Sequence, residues 1–186
     1  MSGLAPTQRN PVATARRLAS AVFASLLFAI PSSGFAGAVG AEIRVYPAGL
    51  IPSVRGELDL GSGGRVLGQA GYNATDRRDW GKHEDESGGG FGVGAGWMYP
   101  VSDGWIAGIR VDYWWLEIDW TDPGRSGSTS LGVLQPTAVA GYRWPAGRWY
   151  LDATLALGGE FNVEVDGEAV GEGWILLAGV GGVFSF

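Results

Sequence analysis

The chain has 186 residues, with 33 glycines, nine tryptophans, no cysteine and 46% apolar residues, which fits neither a disordered segment nor a helix-rich enzyme, because glycine at this density opposes long helices. Its formal charge is −6, and once Arg9, Arg16 and Arg17 near the start are set aside, ten basic side chains remain against nineteen acidic ones. That balance excludes a nucleic-acid partner, since phosphate binding needs a positive surface, and the lack of cysteine excludes a disulfide framework.

The first segment, "ARRLASAVFASLLFAIPSSGFAGA", has a basic start at Arg16 and Arg17, an apolar run from Leu18 to Ile30 and a small-residue end at Ala36-Gly37-Ala38. This is the anatomy of a secretory signal peptide. The run is shorter than the roughly 20 residues that span a bilayer. Residues 1–38 are predicted to be a removed signal peptide, and residues 39–186 a single domain.

From there the chain alternates with period two, the signature of strands. In "AEIRVYP", Glu42, Arg44 and Tyr46 alternate with Ile43 and Val45; in "VRGELDL", Arg55, Glu57 and Asp59 alternate with Val54, Leu58 and Leu60. "RVLGQAGYN" follows the turn "GSGG". "FGVGAGWMY" sets Phe91, Val93, Ala95, Trp97 and Tyr99 against Gly92, Gly94 and Gly96, whose missing side chains leave room for larger neighbours. "GWIAGIRVDYWW" opposes Trp105, Ile109, Val111, Tyr113 and Trp115 to Arg110 and Asp112. "LQPTAVAGYRW" opposes Leu134, Ala138 and Tyr142 to Gln135, Thr137 and Arg143, and "RWYLDATLALGGE" opposes Trp149, Leu151, Leu155 and Leu157 to Asp152 and Glu160. The last strand, "WILLAGVGGVFSF", carries Trp174, Leu176, Ala178, Val180, Gly182, Phe184 and Phe186 as one apolar row. Eight strands imply an all-β, eight-stranded antiparallel up-and-down barrel.

Tight turns are predicted at 62–65, 100–104 and 145–148. Long polar connections are predicted at 74–90 and 121–130, on the alternate hairpins, and "DG" at 166–167 reads as a two-residue hairpin turn. Short turns at one end and longer loops at the other are the habit of outer-membrane barrels. Two segments, 104–120 and 148–165, exceed the roughly 9–11 residues of a tilted membrane strand. Their outer parts, Glu117–Trp120 and Phe161–Val165, are expected to project beyond lipid as a surface-interaction element.

Alternation alone leaves open which face points outward. The polar rows hold Glu42, Arg44, Arg55, Glu57, Asp59, Arg110, Asp112, Arg143, Asp152 and Glu160, four arginines against six carboxylates, and these are predicted to form an ion-pair network filling a narrow lumen. Tyr99, Trp105, Tyr142, Trp149, Phe184 and Phe186 fall in the apolar rows beside the tight turns or the C-terminus. One level of aromatics is the girdle expected at a membrane interface. A soluble secreted ligand-binding barrel would gather them in a core instead. Eight strands enclose a space that side chains can fill.

These features resemble the small eight-stranded outer-membrane barrels, the group of OmpA-like transmembrane domains, OmpX and opacity-type proteins, over residues 39–186. The resemblance implies an integral outer-membrane location, lipid contact around the barrel and a structural or surface-interaction role with an extracellular partner. It also implies that Trp174, Leu176, Ala178, Val180, Phe184 and Phe186 form the signal read by the barrel-assembly machinery. Gly182 departs from that row, where a larger apolar residue is usual.

Chemistry is weighed on few residues. His83, the sole histidine, lies in "KHEDES", a segment that reads as a hydrophilic loop; a Ser-His-acid set with Ser87 would need a positioned oxyanion site, and the histidine–serine spacing of lipid-deacylating barrels is missing. Asp76, Asp79, Glu84, Asp85 and Glu86 could offer oxygen ligands to a divalent cation but lack EF-hand spacing. Glu57 and Asp59 share a face at i and i+2 and fit lumen salt bridges better than acid–base work. No enzyme activity, cofactor or metal is expected. A narrow pore and a lipid A-modifying enzyme are the alternatives.

Overall fold

The computed structural model describes residues 37–61, 63–78 and 81–186. They form eight strands: β1 (Gly37–Tyr46), β2 (Gly49–Asp59), β3 (Arg65–Arg78), β4 (Asp85–Ser102), β5 (Trp105–Asp122), β6 (Arg125–Ala146), β7 (Trp149–Asp166) and β8 (Gly173–Ser185). Each pairs antiparallel with its neighbours in sequence, and β1 pairs with β8, for example Val39 with Phe184 and Val45 with Ala178, so the sheet closes. Each of the eight strands overlaps one alternating segment of the sequence, and β2, β4 and β6 extend well beyond theirs. Residues 1–36 of the predicted signal segment, and Asp79, lie outside the described residues. Gly37 and Ala38 belong to β1, and the Gly37 carbonyl accepts the Phe186 N–H at 3.1 Å.

Both described chain ends share one end of the barrel with the turns after β2, β4 and β6. Gly104 and Gly147 occupy the left-handed region there, φ 77° and 69°, which only glycine enters without strain.

Three expectations about connections fail. The segment 74–90 is mostly strand: β3 and β4 stay paired from Arg65–Met98 to Arg78–Asp85, leaving only residues 79–84 between them. The segment 121–130 is strand as well, with β5 and β6 joined by Pro123–Gly124 alone. "DG" is no two-residue turn, because β8 begins only at Gly173. The physical cause is common to the first two. Glycine and polar residues have low strand propensity in isolation, but pairing with neighbours on both sides decides the matter. Gly88 and Gly90 sit where a Cβ would strike the β5 backbone at Glu117 and Trp115, so glycine lets β4 approach there.

Strand lengths are uneven, from 10 residues in β1 to 22 in β6. The tip of β1–β2 is low, and β3 to β7 stand above it as a projecting wall. Along β5 the polarity of the two faces reverses. Ile109, Val111, Tyr113 and Trp115 point outward while Arg110 and Asp112 are buried; past Trp115, Glu117 and Asp119 point outward while Leu116, Ile118 and Trp120 are buried. Strand β6 does the same, with Leu131 and Val133 inside and Ser126 and Ser128 outside in its upper part. On β5 and β6 the cross-section is thus that of a water-soluble barrel in the projecting half and the opposite one below, whereas β7 keeps Phe161, Val163 and Val165 exposed and Thr75, Glu86 and Glu160 are buried at that level.

Candidate functional site

The lower lumen is filled by charge. Arg143 on β6 donates to Glu57 on β2 at 2.8 and 2.9 Å and to Asp152 on β7 at 2.7 and 2.8 Å. Arg55 also donates to Asp152 and lies 3.3 Å from Glu57 and 3.5 Å from Glu42. Glu42 accepts from Arg110 at 2.9 Å, and Arg44 donates to Asp112 at 2.6 Å, with Gln69 as a further donor to Asp112. Four arginines and four carboxylates form this connected chain, all of them buried. The equality matters, because an unpaired buried charge is far more costly than a matched one. The glycines of β4 make the room: a Cβ at Gly92 would collide with the Trp114 indole, and one at Gly94 with the Asp112 carboxylate.

Two residues predicted for this network lie elsewhere. Asp59 sits at the strand end, its carboxylate 37% exposed, 3.8 Å from Arg65 and accepting the Gly61 N–H at 2.8 Å. Its parity is right, but β2 has already passed the barrel rim. Glu160 is buried at a higher level, accepting from Arg77 at 2.5 Å and Gln135 at 3.1 Å.

Over the ion pairs lies an apolar roof of Trp114, Leu116, Ile118, Leu131, Val133 and Ile175, completed by Val170, whose side chain is 1% exposed although it belongs to the β7–β8 connection. The Arg44 guanidinium lies 5.8 Å from the Trp114 ring centre, where the two layers meet. The cavity left under Val170, lined by Arg77, Glu86 and Glu160 among others, has room for about one water.

The sequence reading of "KHEDES" as a loose hydrophilic loop is overturned. The His83 side chain is 5% exposed, stacked on Trp120 at 4.3 Å between ring centres and 15° between planes, and its Nδ1 is 2.9 Å from Asp122 Oδ2. Glu86 is 1% exposed and accepts the backbone N–H groups of Lys82 (2.7 Å), His83 (3.2 Å) and Gly171 (3.1 Å). Arg77 donates to the Gly171 carbonyl at 2.6 Å. Above the β1–β2 tip, these side chains fasten β3 to the β7–β8 connection where no backbone ladder runs. The bond from His83, with the Glu84 N–H and Arg125 in support, holds the Asp122 carboxyl below the usual carboxylate range. No serine hydroxyl bonds to the imidazole among the described residues; Ser87 is exposed on the outer face. The acidic set does not converge: Asp76 lies beside Arg78 at 3.5 Å while Glu86 points inward, and among the described residues no group of three or more His, Asp or Glu could hold a metal ion.

On the outer wall, aromatics gather in two rows. Toward the tight turns, Trp105 meets Tyr142 edge-on at 5.4 Å, Tyr142 meets Trp144 at 4.8 Å, Trp97 meets Tyr99 at 6.2 Å and Trp149 meets Phe184 at 5.1 Å. Phe186 is 49% exposed beside Gly37. The upper row, which the sequence reading missed, includes Tyr72 with Phe91 at 5.1 Å, Tyr113 with Trp115 at 4.9 Å, and Trp174, 87% exposed. The signal was present in "WIAGIRVDYWW". Eight to ten residues from Trp105 to Tyr113 or Trp115, at about 3.3 Å each and a tilt near 40°, separate two levels by roughly 20–25 Å. Between the rows, the β8 residues Leu176, Ala178 and Val180 face outward in register with Leu157, Leu155 and Ala153 of β7.

No family model and no curated protein sequence matches the chain. Among solved structures, the barrel is similar to a major outer membrane protein from Thermus thermophilus, with 16% identity, 83% of this chain and 100% of that chain covered, and a TM-score of 0.52. It is similar to Ail, the attachment invasion locus protein of Yersinia pestis (12% identity, 82% and 97% covered, TM-score 0.52). The N-terminal β-barrel domain of Pseudomonas aeruginosa OprF gives 14% identity, 81% and 97% covered, and a TM-score of 0.50. At these identities the likeness establishes the fold, an eight-stranded antiparallel barrel shared with small outer-membrane proteins.

Proposed function

We propose that the chain is a non-enzymatic integral outer-membrane protein, exported with removal of residues 1–38, whose barrel is a lipid-embedded post for its projecting wall and capped outer end. The carrying observation is the polarity reversal along β5. An apolar exterior over a charged, paired interior suits hydrocarbon surroundings, whereas a polar exterior over an apolar interior suits water. The reversal comes at Trp115, in the upper aromatic row, and the spacing of the two rows is close to the roughly 25 Å apolar band of such barrels. The rows act as interfacial girdles, with Tyr99, Trp105, Tyr142, Trp149, Phe184 and Phe186 on the periplasmic side. Cleavage after Ala38 leaves β1 as Val39–Tyr46.

The outward row of β8, from Trp174 through Leu176, Ala178 and Val180 to Phe184 and Phe186, serves as the signal for the barrel-assembly machinery. The outer wall, with Glu117, Asp119, Asp76 and Asp85 facing water, meets an extracellular partner. Along β7, the stretch beyond Glu160 has no β8 partner, and such an edge can accept a strand from another protein.

Fractionation of expressing cells, followed by electrophoresis of boiled and unboiled samples, tests the reading. The expected result is outer-membrane protein whose mobility changes on heating, as a closed barrel resists detergent until boiled. Soluble protein without such a shift would mean that the apolar rows face a water-soluble interior.

A further inference from the structure

We infer that the unpaired edge of β7, residues 163–166, docks an extended segment of a basic partner, one that alternates lysine or arginine with apolar residues, and adds it to the projecting wall as one more strand. The inference rests on the proposed outer-membrane reading, which puts this edge in water outside the cell, and it adds the chemistry of the partner.

Pairing leaves the edge free. Strand β7 stays in register with β6 as far as Ser130–Asp166, whereas its ladder with β8 ends at Glu160–Gly173. The β7–β8 connection covers only the beginning of what remains: Glu172 accepts the Asn162 N–H at 3.2 Å, and the Val170 carbonyl accepts Asn162 Nδ2 at 3.1 Å. The rest of the connection runs inward. Gly167 takes φ 130°, where a side chain would be strained, and a Cβ there would come within 2.8 Å of Thr129 Oγ1. Thr129, on the inner face of β6, donates to the Glu168 carbonyl at 2.8 Å, and Val170 is buried in the roof. The connection thus crosses the inside of the wall and leaves Val163, Glu164, Val165 and Asp166 without a strand beside them.

The edge suits a strand, and a strand of one charge. Val163 and Val165, 52% and 45% exposed, are strong strand formers, and the stretch has neither the lysine nor the proline that commonly blunts an edge. Its guard is acidic instead. Arg125 is held between Asp122 and Glu168 at 2.9 and 3.0 Å, and Lys82 lies 3.5 Å from Glu172, while no salt bridge reaches Glu164 or Asp166 among the described residues. Register carries the negative field across the wall, because Glu117, Ser130 and Asp166 form one row over β5, β6 and β7. The sign of the charge picks the occupant. Two copies of this chain joined edge to edge would set Glu164 and Asp166 of one against those of the other, and like charges placed opposite destabilise a strand pair. A basic strand meets the same carboxylates with attraction, and its apolar residues cover the two valines.

The test offers three peptides of about nine residues to the full chain refolded in zwitterionic detergent micelles: one alternating valine and lysine, one alternating valine and glutamate, and the valine–lysine sequence N-methylated throughout, which keeps the charge but cannot pair. The first should slow amide exchange at residues 163–166 about tenfold, and its affinity should fall about fivefold between about 50 and about 500 mM salt. The other two should not bind. Glu164→Lys with Asp166→Lys should move the preference to the glutamate peptide; if that variant is not heat-modifiable, the methylated peptide decides on the unaltered chain. Equal binding of the methylated peptide, protection confined to other parts of the wall, or no binding of the lysine peptide at about 1 mM would overturn the inference. Boiled and unboiled electrophoresis of the same samples separates the two readings: a heat-modifiable barrel that ignores the lysine peptide overturns the docking alone, whereas a protein that does not shift on heating overturns the membrane reading and this inference with it.

Discussion

Arg143 shows how much of the lumen one side chain can hold. Its four hydrogen bonds join β2 to β7 across the barrel interior, and Tyr150 covers its guanidinium at 5.5 Å. Arg143→Ala would leave Glu57 and Asp152 buried with Arg55 as their shared cation, and removing one partner of such a set typically costs about 3–5 kcal/mol. Urea unfolding in lipid vesicles should show a loss of that size, whereas Arg148→Ala, an exposed change at the neighbouring turn, should leave the midpoint unchanged. A paired change of Arg143→Met with Glu57→Gln, which keeps three arginines against three carboxylates and leaves Asp152 with Arg55, should cost less than Arg143→Ala alone; a larger cost would mean that the arginine acts through packing rather than charge. Parity in the sequence was enough to put Arg143, Glu57 and Asp152 on one face. It could not pair them, because Arg143 and Glu57 lie 86 positions apart and meet only through barrel closure. Nor could it separate Glu57 from Asp59, since the position of the rim is set by register with β1 and β3.

At the scale of the strand, β5 carries the information that fixes depth. Ile109 and Asp119 share its outer face, yet one sits midway between the aromatic rows and the other above both. Ile109→Arg should cost about 2–4 kcal/mol in vesicle unfolding, the figure for a basic residue at the bilayer midplane, and Asp119→Arg should be close to neutral. Equal costs would show that the outer face has one environment along its length. This reversal also explains why the loops were misread. An apolar row against a polar one marks a half-buried strand only while each row keeps its face, and beyond Trp115 of β5 the rows exchange faces. Ser126, Ser128 and Ser130, or Asp85 and Ser87, then look like loop composition when they are the watered side of a strand. The upper aromatic row was legible from spacing alone. The burial of His83 was not, since its partners Trp120 and Asp122 come from another hairpin.

The whole barrel bears on conduction. A pore needs a continuous wet path, and here two different obstacles are stacked along the axis. The lower one is electrostatic, with each arginine spanning to carboxylates on other strands; the upper one is packed, with Leu116, Ile118, Leu131, Val133 and Val170 closing over a cavity of about one water that Arg77, Glu86 and Glu160 also line. An ion able to displace the lower salt bridges would still meet these aliphatic side chains and a second set of paired charges, with no room for its hydration shell. Planar-bilayer recordings should therefore show no steady conductance, and neutralising Glu57 and Asp152 together should not create one, because the roof is untouched by that change. Removing Val170 with its connection, residues 167–172, should have little effect alone for the complementary reason, the ion pairs below remaining intact. Only the combined variant is expected to conduct. Steady openings in the unaltered protein, or in either single class of variant, would mean that one of the two layers is not continuous across the lumen.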